Sequence, residues 1–539
     1  MASSWSAEKL DRIQDKFFQN EEHDRTIRCL LTFKGDIDER RLVAAVDKLT
    51  TDIPILNSTF QENDGKFFWN HREDNKSLIY SKWTNWGMFF QDFLSLPDAH
   101  SNPQIKVSLY NNIIAFKVNG MLMDIFSLKS IVAYFCQIYN NITNKVFFSR
   151  YSQPQPRSEK NLLASLPLPT RLFPSYKLSD EGFNKLKLAY VEDDGSNADS
   201  WLNTDGYYGS EVRKLFELAN IYKVTIADIF MTAYHRAISD ILKKKDTPIN
   251  IGRQFDVRKE SNIENYTSYN NAYVMLPYSI KIKEGEVFST TLKTNADISN
   301  VIKDKKIVAR KFAKDHTTYG ITEYFQFVAL GDLNKHNYNL QGNQIREVFF
   351  STPARFLPYI SVALTSIDKS EIFLSACNFC VENDLPSIKY LLDFIKYEIR
   401  NFINLEDPQF YTNWDEEYEK QFPEGDDSVV SQQPEEKQRE QTETSQISKN
   451  TSVLDRNPDS KEKPTGPSLR NFMYNRNIER QQWTEEQNVL AQKYTFLTGS
   501  ILENGKKNGY VKYKIKGKNA FQQRSWSDIK KFVDFKEKQ

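Results

Sequence analysis

The stretch AFKVNGMLMDIFS, residues 115–127, passes from an apolar strand pattern to an apolar helix pattern, with an Asn-Gly pair where the two meet. Upstream, residues 104–118 alternate like two strands joined by a turn over 110–112. Downstream, apolar residues recur at spacings of three and four over 128–139, which predicts a helix. Asn-Gly is also the commonest two-residue hairpin turn, but the helical spacing after Met121 leaves no second strand for a hairpin. We therefore predict a strand-to-helix junction, and a chance Asn-Gly pair between unrelated elements is the alternative.

Similar patterns occur on both sides of a proline-rich stretch. Before it, residues 39–49 place five apolar residues on one helical stripe. After it, Thr225 and Asp228 have the spacing of a capping box that opens a helix over 226–242, and a strand follows over 248–253. The same criteria predict strands over 272–282, 360–365 and 371–380, and a helix over 386–402.

Composition divides the chain into five segments. Five prolines within 151–175 remove backbone donors and fix φ, which predicts an extended connector between two α/β halves, 1–150 and 176–412. Residues 415–463 carry 14 acidic and 7 basic residues with few apolar ones, which predicts a disordered acidic linker. Residues 471–539 regain aromatic residues and carry 14 basic against 7 acidic residues, which predicts a small basic module.

Charge and cysteine content limit the class of protein. Lysine plus arginine (72) nearly cancel aspartate plus glutamate (71), so any electrostatic attraction of a partner must be local. No apolar run approaches the roughly 18 to 20 residues of a membrane span, and the N-terminus lacks a secretory signal, so a cytoplasmic protein is expected, with the nucleus as the alternative. Four cysteines do not make a disulfide framework. Cys377 and Cys380 lie three apart in a strand pattern and so on opposite faces, which favours buried thiols and predicts no metal site.

Several segments, taken in their order and spacing, resemble the chloramphenicol-acetyltransferase-like superfamily, which includes condensation domains of peptide synthetases and alcohol O-acetyltransferases. They are GDIDERRL at 35–42, PILNSTF at 54–60, IGR at 251–253 and NNAYVMLP at 270–277. The resemblance covers about residues 5–405. It implies a two-lobed α/β fold of the CoA-dependent acyltransferase type, with two similar mixed-sheet halves.

In that superfamily the strand-to-helix junction carries the motif HHxxxDG. Laid on this chain, the histidines fall at Asn119 and Gly120, the aspartate at Asp124 and the final glycine at Ile125. The family's second histidine takes a proton from the acceptor hydroxyl or amine as that atom attacks an acyl thioester, and Gly120 has no side chain for this step. The resemblance therefore implies that the catalytic base is missing, and no catalytic residue is predicted.

The motif aspartate has a structural role in the family, where it pairs with an arginine from the second half. The resemblance places that arginine at Arg253, so we expect a guanidinium–carboxylate brace between Asp124 and Arg253. None of the six histidines lies at the junction. His235 falls on the polar side of its predicted helix and is expected to be a surface or satisfied histidine.

The basic module contains two tryptophan-bearing helical patterns, at 482–494 and 525–532, that faintly resemble a Myb/SANT helix pair. Trp483 and Trp526 lie 43 residues apart, about twice the spacing of that compact fold, so an insertion is required. The insertion, 509–516, alternates lysine with Val, Tyr and Ile.

This alternation predicts a strand with one basic face, for which there are two explanations. Lys512, Lys514, Lys516 and Lys518 are candidate contacts to phosphates or to an acidic partner. The same alternation is expected of a solvated edge strand, where lysine opposes aggregation, and this second explanation is favoured.

The sequence leads to three hypotheses about function. The leading hypothesis is a catalytically disabled acyltransferase-like body that binds a protein or acyl ligand between its lobes, with the basic tail recruiting a second partner. CoA or acyl-pantetheine is the candidate ligand that the resemblance implies, and no cofactor is certain. The alternatives are an acyl-CoA-dependent O- or N-acyltransferase working without the usual histidine, and a nucleic-acid-associated protein acting through its Myb/SANT-like tail.

Overall fold

The structure is a computed structural model of the 539-residue chain. It describes residues 4–7, 11, 23–72, 76–95, 99–142, 157–168, 199–242, 245–263, 266–304, 306–315, 325–355, 360–380, 385–408, 410, 501–503, 510–514, 521–525 and 530. The chain divides into two compact units, residues 1–407 with 468–475 and residues 408–467 with 476–539.

The first unit is built from helices and mixed sheets. Its described α-helices are α1 Glu39–Asp52, α2 Lys76–Ile79, α3 Trp86–Leu94, α4 Ile125–Asn141, α5 Glu159–Ser165, α6 Gly209–Tyr222, α7 Ile226–Leu242, α8 Phe288–Asp304, α9 Ile307–Asp315 and α10 Leu385–Glu406. Its described strands are β1 Ser4–Ser6, β2 His23–Asp24, β3 Thr26–Phe33, β4 Ser58–Asn63, β5 Lys66–His71, β6 Tyr80–Lys82, β7 Ile105–Tyr110, β8 Ile113–Asn119, β9 Asp199–Tyr208, β10 Pro248–Asp256, β11 Tyr273–Lys281, β12 Phe325–Leu333, β13 Ile345–Ser351, β14 Ala354–Arg355, β15 Ser361–Ile367 and β16 Glu371–Cys380. The two-lobed, mixed α/β fold expected from the sequence is confirmed.

The first half contains a five-stranded sheet in the order β13-β3-β8-β7-β6. Strands β7 and β8 form the hairpin predicted from the alternation of residues 104–118, and Asn111 in its turn has a φ of 49°. Asparagine tolerates this left-handed conformation better than most residues because its short side chain can bond locally. Helix α4 leaves this sheet directly after β8, so the Asn-Gly pair does join a strand to a helix.

The second half contains a six-stranded sheet in the order β11-β10-β12-β15-β16-β9. The adjacent strands β10, β12 and β15 are parallel to one another, whereas β11 pairs antiparallel with β10, β16 with β15 and β9 with β16. The described residues of this unit also form two smaller sheets, one of β1, β5 and β4 and one of β14 and β2. The predicted strand over 371–380 and the predicted helix over 226–242 have the predicted bounds in the structure.

One strand of the second half belongs to the sheet of the first half. Strand β13 pairs antiparallel with β3, with Phe350 opposite Cys29 and Val348 opposite Leu31, and all four side chains are buried. The two halves therefore share a sheet as well as a chain. The division of the chain at 151–175 stays a prediction. Because β13 of the second half pairs with β3 of the first, the two halves are interlocked.

The expectation of an unpacked connector is wrong for its central part. Helix α5, Glu159–Ser165, lies within it, and the Leu162 side chain is fully buried. The prolines flank residues 157–166 and leave them free of proline, so nothing prevents a helix there, and Leu162 has an apolar surface on which to pack. Residues 151–156 and 169–175 of the connector lie outside the described residues.

Helix starts follow the sequence closely. Asp124 is the N-cap of α4, and its Oδ1 accepts the Ser127 N–H at 2.8 Å. At α7 the predicted capping box is present, since Oγ1 of Thr225 accepts the Asp228 N–H at 3.2 Å while Oδ2 of Asp228 accepts the Thr225 N–H at 3.0 Å. Side-chain oxygens thus replace the backbone acceptors that the first turn of each helix lacks.

The second unit is described in its strands β17 Ile501–Glu503, β18 Tyr510–Lys514 and β19 Phe521–Ser525 and at the single residues Pro408, Phe410 and Lys530. The predicted acidic linker, 415–463, lies outside the described residues, as do residues 482–494 of the Myb/SANT-like pattern. Among the helices in the described part of the chain, none combines the length and the apolarity needed to cross a bilayer.

Candidate functional site

The junction, defined here as residues 119–124, is built around the Asn119 side chain. Its Oδ1 accepts the Met121 N–H at 2.9 Å, and its Nδ2 donates to Oε1 of Gln104 at 2.8 Å. The first contact closes a tight local turn of the kind that asparagine favours, and this turn ends β8. Only 3% of Asn119 is exposed, so both ends of its amide are used in a buried setting.

Three backbone carbonyls of the junction accept hydrogen bonds from side chains outside it. Nδ2 of Asn271, in the second half, donates to the carbonyls of Gly120 and Met121 at 3.0 and 2.9 Å. Nη2 of Arg157 donates to the Leu122 carbonyl at 2.9 Å. The turn is thus held by side chains that are remote in sequence, which fixes its conformation in the folded chain.

Asp124 ends the junction and is buried. Beside its contact with the Ser127 N–H, its Oδ2 accepts the Ala272 N–H and Nη2 of Arg258, both at 2.8 Å. Burial raises the pKa of the Asp124 carboxyl, and the Arg258 guanidinium acts against this rise. One carboxylate therefore caps α4 and at the same time binds two groups of the second half.

Arg258 is the centre of this buried polar cluster. Its Nη1 donates to Oδ1 of Asp256 at 2.7 Å, and its Nη2 donates to Oγ of Ser127 at 2.7 Å. The same guanidinium donates to the backbone carbonyls of Asn270 at 2.6 Å and Ser268 at 2.9 Å. Burial acts to lower the pKa of Arg258, but the two facing carboxylates outweigh it and raise the pKa, so the guanidinium stays charged.

The predicted pairing of Asp124 with Arg253 is wrong. Nη1 of Arg253 donates to Oδ1 of Asp228 at 3.0 Å and to Oγ of Ser299 at 3.1 Å, and its guanidinium lies 5.1 Å from the centre of the Phe255 ring. Arg253 sits in the middle of β10, with its side chain among helices of the second half. Arg258 follows the end of β10, in the 3-10 helix Val257–Glu260, where the chain reaches the junction.

The sequence offered weak signals for the residues that were missed. Asn270 and Asn271 belong to a quoted segment of the resemblance, but no hydrogen bond could be assigned to them without the fold. Arg258 lies five residues after Arg253, beyond the quoted IGR segment. A charged residue just past a strand end is a common surface feature, so its burial was not predictable from the sequence.

His235 and His100 both contact backbone carbonyls that lie outside the junction. Both ring nitrogens of the fully buried His235 face backbone carbonyls, of Met231 at 3.0 Å and Tyr278 at 3.1 Å. Burial lowers the pKa of His235 to about 4, so it is neutral at physiological pH. A neutral ring has one N–H and donates to one of these two carbonyls, so His235 is a hydrogen-bonded core histidine, and its expected placement on the polar side of the helix is wrong. Nδ1 of His100 lies 3.1 Å from the Phe60 carbonyl.

The cysteines behave as buried thiols where they are described. Cys377 lies on β16 and is buried, and burial raises its pKa to about 12. Cys380 belongs to the same strand three residues on. Within the part of the chain that the structure describes, no three His, Cys, Asp or Glu side chains are grouped so that they could hold a metal ion.

A surface pocket of about 310 Å³ lies in the second half, and Arg236, Phe288 and Leu405 are among its lining residues. No residue of the junction lines it. This pocket therefore gives a ligand no contact with Asn119 or Gly120.

The basic tail forms a small antiparallel sheet in the order β17-β18-β19. Lys512 and Lys514 lie on β18, which pairs with β17 on one side and with β19 on the other. The interpretation of this segment as a solvated edge strand is wrong, because β18 is the central strand. Lys516 and Lys518 lie outside the described residues.

Comparisons with solved structures place this architecture among known folds. The first condensation domain of the calcium-dependent antibiotic synthetase superposes with a TM-score of 0.54 at 10% identity, over 74% of this chain and 96% of that one. The chain has the condensation-domain fold. The trichothecene 15-O-acetyltransferase from Fusarium sporotrichioides has the same fold, with a TM-score of 0.52 at 10% identity over 73% of this chain and 94% of that one.

The polyketide synthase associated protein 5 from Mycobacterium tuberculosis also shares the condensation-domain fold, with a TM-score of 0.52 at 11% identity over 72% of this chain and 96% of that one. No family model matches the sequence, and no curated protein matches it. At about 10% identity these likenesses establish the fold and leave the activity to be argued from the site.

Proposed function

We propose that this chain is a non-catalytic protein of the condensation-domain fold, whose body binds an acyl or pantetheine-type ligand or a protein segment and whose basic tail recruits a second partner. The condensation-domain fold supports the correspondence between the junction and the motif HHxxxDG. On this correspondence Asn119 and Gly120 occupy the histidine positions, and Asp124 keeps the structural aspartate.

The use of the Asn119 side chain carries the proposal. A general base must offer an unoccupied proton acceptor within about 3 Å of the acceptor atom. The oxygen of the Asn119 amide is engaged by the Met121 N–H, its nitrogen is a donor bound to Gln104, and Gly120 contributes no side chain. The junction thus has the hydrogen bonds of a structural turn.

The surrounding cluster supports the same conclusion. Arg258, Asp124 and Asn271 join the two halves at the junction through buried hydrogen bonds. Removing one member of such a cluster leaves buried polar groups without partners, which is costly. A chain that has lost the base would therefore still need this cluster in order to fold, and retention of Asp124 does not require catalysis.

The first test is release of free CoA. Purified full-length protein is incubated with acetyl-CoA and longer acyl-CoAs in the presence of a panel of alcohols and amines, and the free thiol is measured. We expect no release above the rate without protein. A positioned base is typically worth about 10² to 10⁴ in rate, so a working substitute for the histidine would be easily detected. Protein-dependent release that saturates with acyl-CoA would contradict the proposal and favour an acyltransferase.

A matched pair of variants sharpens this test. Gly120→His adds an imidazole where the motif has its base, whereas Gly120→Ala adds a side chain without a base. Turnover that appears in the first variant and not in the second, at similar melting temperatures, is expected if the body still binds the substrates. Equal turnover in both variants would contradict the assignment of Gly120 to the catalytic position.

Binding is tested separately by thermal shift. A ligand selective for the folded state raises the melting temperature in proportion to the logarithm of its excess over Kd. We expect CoA, an acyl-CoA or acyl-pantetheine to produce a concentration-dependent rise. If none does at millimolar concentration, the body does not bind ligands of this class. A protein segment is then the remaining ligand under the proposal.

A further inference from the structure

The surface pocket of the second half is formed where two helices meet a loop. Arg236 comes from α7, Asn401 and Leu405 come from α10, and the rest of the wall includes the loop after β11 and Phe288 at the start of α8. Its volume of about 310 Å³ is at the lower end of the range of small-molecule sites, about 300 to 1,000 Å³. We call it the second-half pocket. Its size suits a small ligand, and its ligand does not touch the junction.

Arg236 is held in a fixed orientation on the wall of this pocket. Its Nε donates to Oε2 of Glu398 at 2.5 Å, and its Nη1 donates to the Glu286 carbonyl at 2.8 Å. The guanidinium carbon lies 5.8 Å from the centre of the Phe288 ring. Nη2 has no hydrogen-bond partner among the described residues. The fold therefore fixes a cationic donor at the pocket and leaves one of its nitrogens available.

Two lysines also line the pocket, and one of them is available. Nζ of Lys283 forms no hydrogen bond or ion pair with the part of the chain that the structure describes, and this side chain is exposed. Lys245 forms an ion pair with Asp240. Lys283 thus adds a second available cation to that of Arg236.

The carboxylates that line the pocket are already engaged. Oε2 of Glu398 accepts Nε of Arg236. Oε1 of Glu286 accepts the Thr291 hydroxyl at 2.8 Å, and its Oε2 accepts the Lys283 N–H at 3.3 Å. The charged groups of the pocket therefore offer more available donors than acceptors, which favours a ligand with an anionic, acceptor-rich group.

The pocket also has an exposed apolar rim. Val287 and Leu405 both line it, and they are 55% and 65% exposed, which is high for large apolar residues. Ile282 and Phe288 line it as well and are buried. Apolar surface beside available cations is complementary to a ligand that joins an anionic head to an apolar chain.

We propose that the second-half pocket binds a carboxylic acid with a short apolar chain, its carboxylate on Nη2 of Arg236 and Nζ of Lys283 and its chain against Val287 and Leu405. Guanidinium and ammonium groups both form charge-assisted hydrogen bonds with carboxylates. A neutral alcohol covers the rim and leaves both cations without a partner, and an amine is repelled by them.

This inference goes beyond the proposed function, because it concerns a second site. Acyl transfer at the junction and binding of CoA or acyl-pantetheine by the body are measured with other ligands, so either proposal can fail alone.

The test is isothermal titration calorimetry of the full-length chain with octanoate. The matched probes are 1-octanol, which keeps the chain and lacks the charge, octylammonium, which reverses the charge, and acetate, which lacks the chain. We expect saturable binding of octanoate and at least 10-fold weaker binding of each other probe. A charge-assisted hydrogen bond and the burial of several methylene groups are each worth about 10-fold or more in affinity.

Variants at exposed positions assign the binding to this pocket. Leu405→Gln removes apolar rim surface and should weaken octanoate binding about 3- to 10-fold. Lys283→Gln should weaken it about 2- to 5-fold, and this effect should shrink as salt is added. Lys281→Gln is the control, because Lys281 is exposed, lies two residues before Lys283 and does not line the pocket. It should leave the affinity unchanged.

Arg236→Met should weaken octanoate binding at least 10-fold. It also leaves the buried Glu398 carboxylate without its cation, so this variant is compared with the wild type only if its melting temperature is preserved. The two variants at exposed positions do not depend on this condition.

Several outcomes would overturn the inference. They are absence of saturable octanoate binding, equal affinity for 1-octanol or octylammonium, unchanged affinity in both Leu405→Gln and Lys283→Gln, and an effect of Lys281→Gln equal to that of Lys283→Gln. The comparison of probes uses the unmodified protein, so it decides the ligand class even if a variant misfolds.

Discussion

Two buried arginine–aspartate pairs in this protein use the same chemistry for different purposes. Asp124 begins α4 and pairs with Arg258 at 2.8 Å, whereas Asp228 begins α7 and pairs with Arg253 at 3.0 Å. In each, a carboxylate at a helix N-terminus meets a guanidinium supplied from or just beyond β10. The first pair joins residues 134 apart and so connects the two halves, while the second joins residues 25 apart within one half.

The difference shows that position along β10 decides what an arginine holds together. A residue in the middle of a strand can reach only the helices stacked on that face of the sheet, and Arg253 finds Asp228 and Ser299 there. A residue past the strand end can turn toward another layer, as Arg258 does. The resemblance placed the family's arginine at Arg253, within β10, and this residue pairs with Asp228 of the same half.

The largest expected effect is the loss of stability when Arg258 is replaced, and replacing Arg253 should cost less. Arg258→Met should lower the free energy of unfolding by about 3 to 5 kcal/mol, because it leaves the buried Asp124 carboxylate without its cation. Arg253→Met should cost about 1 to 3 kcal/mol, because Asp228 keeps its contacts with Thr225 and Ser299. Urea unfolding followed by far-UV circular dichroism measures both.

The conservative variant Arg258→Lys makes this test more specific. It keeps a positive charge but cannot make the several directed hydrogen bonds of a guanidinium, so we expect a loss smaller than that of Arg258→Met and still above 1 kcal/mol. A loss for Arg253→Met equal to or above that of Arg258→Met would contradict the assignment of the inter-half brace to Arg258.

A third cluster places buried cations at the C-terminus of a helix, whereas the two arginine–aspartate pairs lie at helix N-termini. Nζ of Lys117 donates to the Ser95 carbonyl at 3.2 Å and to Oγ of Ser95 at 2.8 Å, at the C-terminus of α3. Nε of Arg28 donates to the Phe93 carbonyl at 2.8 Å, and its Nη2 donates to the Leu94 carbonyl at 2.7 Å. Carbonyls at a helix C-terminus have no partners within the helix and carry partial negative charge, so both cations are well placed.

Lys117 gives a pH dependence of known sign. Burial lowers its pKa to about 7, with Arg28 and Lys106 adding to the shift and Asp92 opposing it. Between pH 7 and the ordinary lysine pKa the unfolded chain binds the proton more strongly than the folded chain, so stability rises with pH. From pH 7 to 9 the free energy of unfolding of the wild type should rise by about 2 kcal/mol relative to Lys117→Met.

The control for this prediction is Lys281→Met, which removes an exposed lysine with no partner to lose in the buried cluster. Its stability should follow that of the wild type across the same pH range. Parallel curves for the wild type and Lys117→Met would show that this amine titrates normally in the folded protein.

The smallest expected loss of stability comes from removing one of the hydrogen-bond partners of Asp228. Thr225→Ala removes one half of the capping box, and loss of such a cap costs about 1 kcal/mol. Because Arg253 and Ser299 still hold Asp228, the double variant with Arg253→Met should lose more than the sum of the single variants in chemical denaturation. Strict additivity would mean that the cap and the arginine act independently.

The local structure of the second half was predictable to within a few residues. The capping box at Thr225, the bounds of α7 and the strand Glu371–Cys380 follow from spacings within a few residues of each other, because hydrogen bonds in a helix and alternation in a strand are local. Helix α5 was missed because the prolines around it outweighed a short stretch without proline.

For the candidate site, the sequence alone determined a strand-to-helix turn, an aspartate at the start of α4 and the absence of a base at Gly120, since each of these depends on which side chains are present and on near neighbours. Only the tertiary structure decided that Arg258 meets Asp124, that Asn271 holds the turn, that β13 crosses into the first sheet and that β18 is central in its own. These contacts join residues far apart along the chain. Their partners are selected by how sheets and helices pack, which no spacing in the sequence encodes.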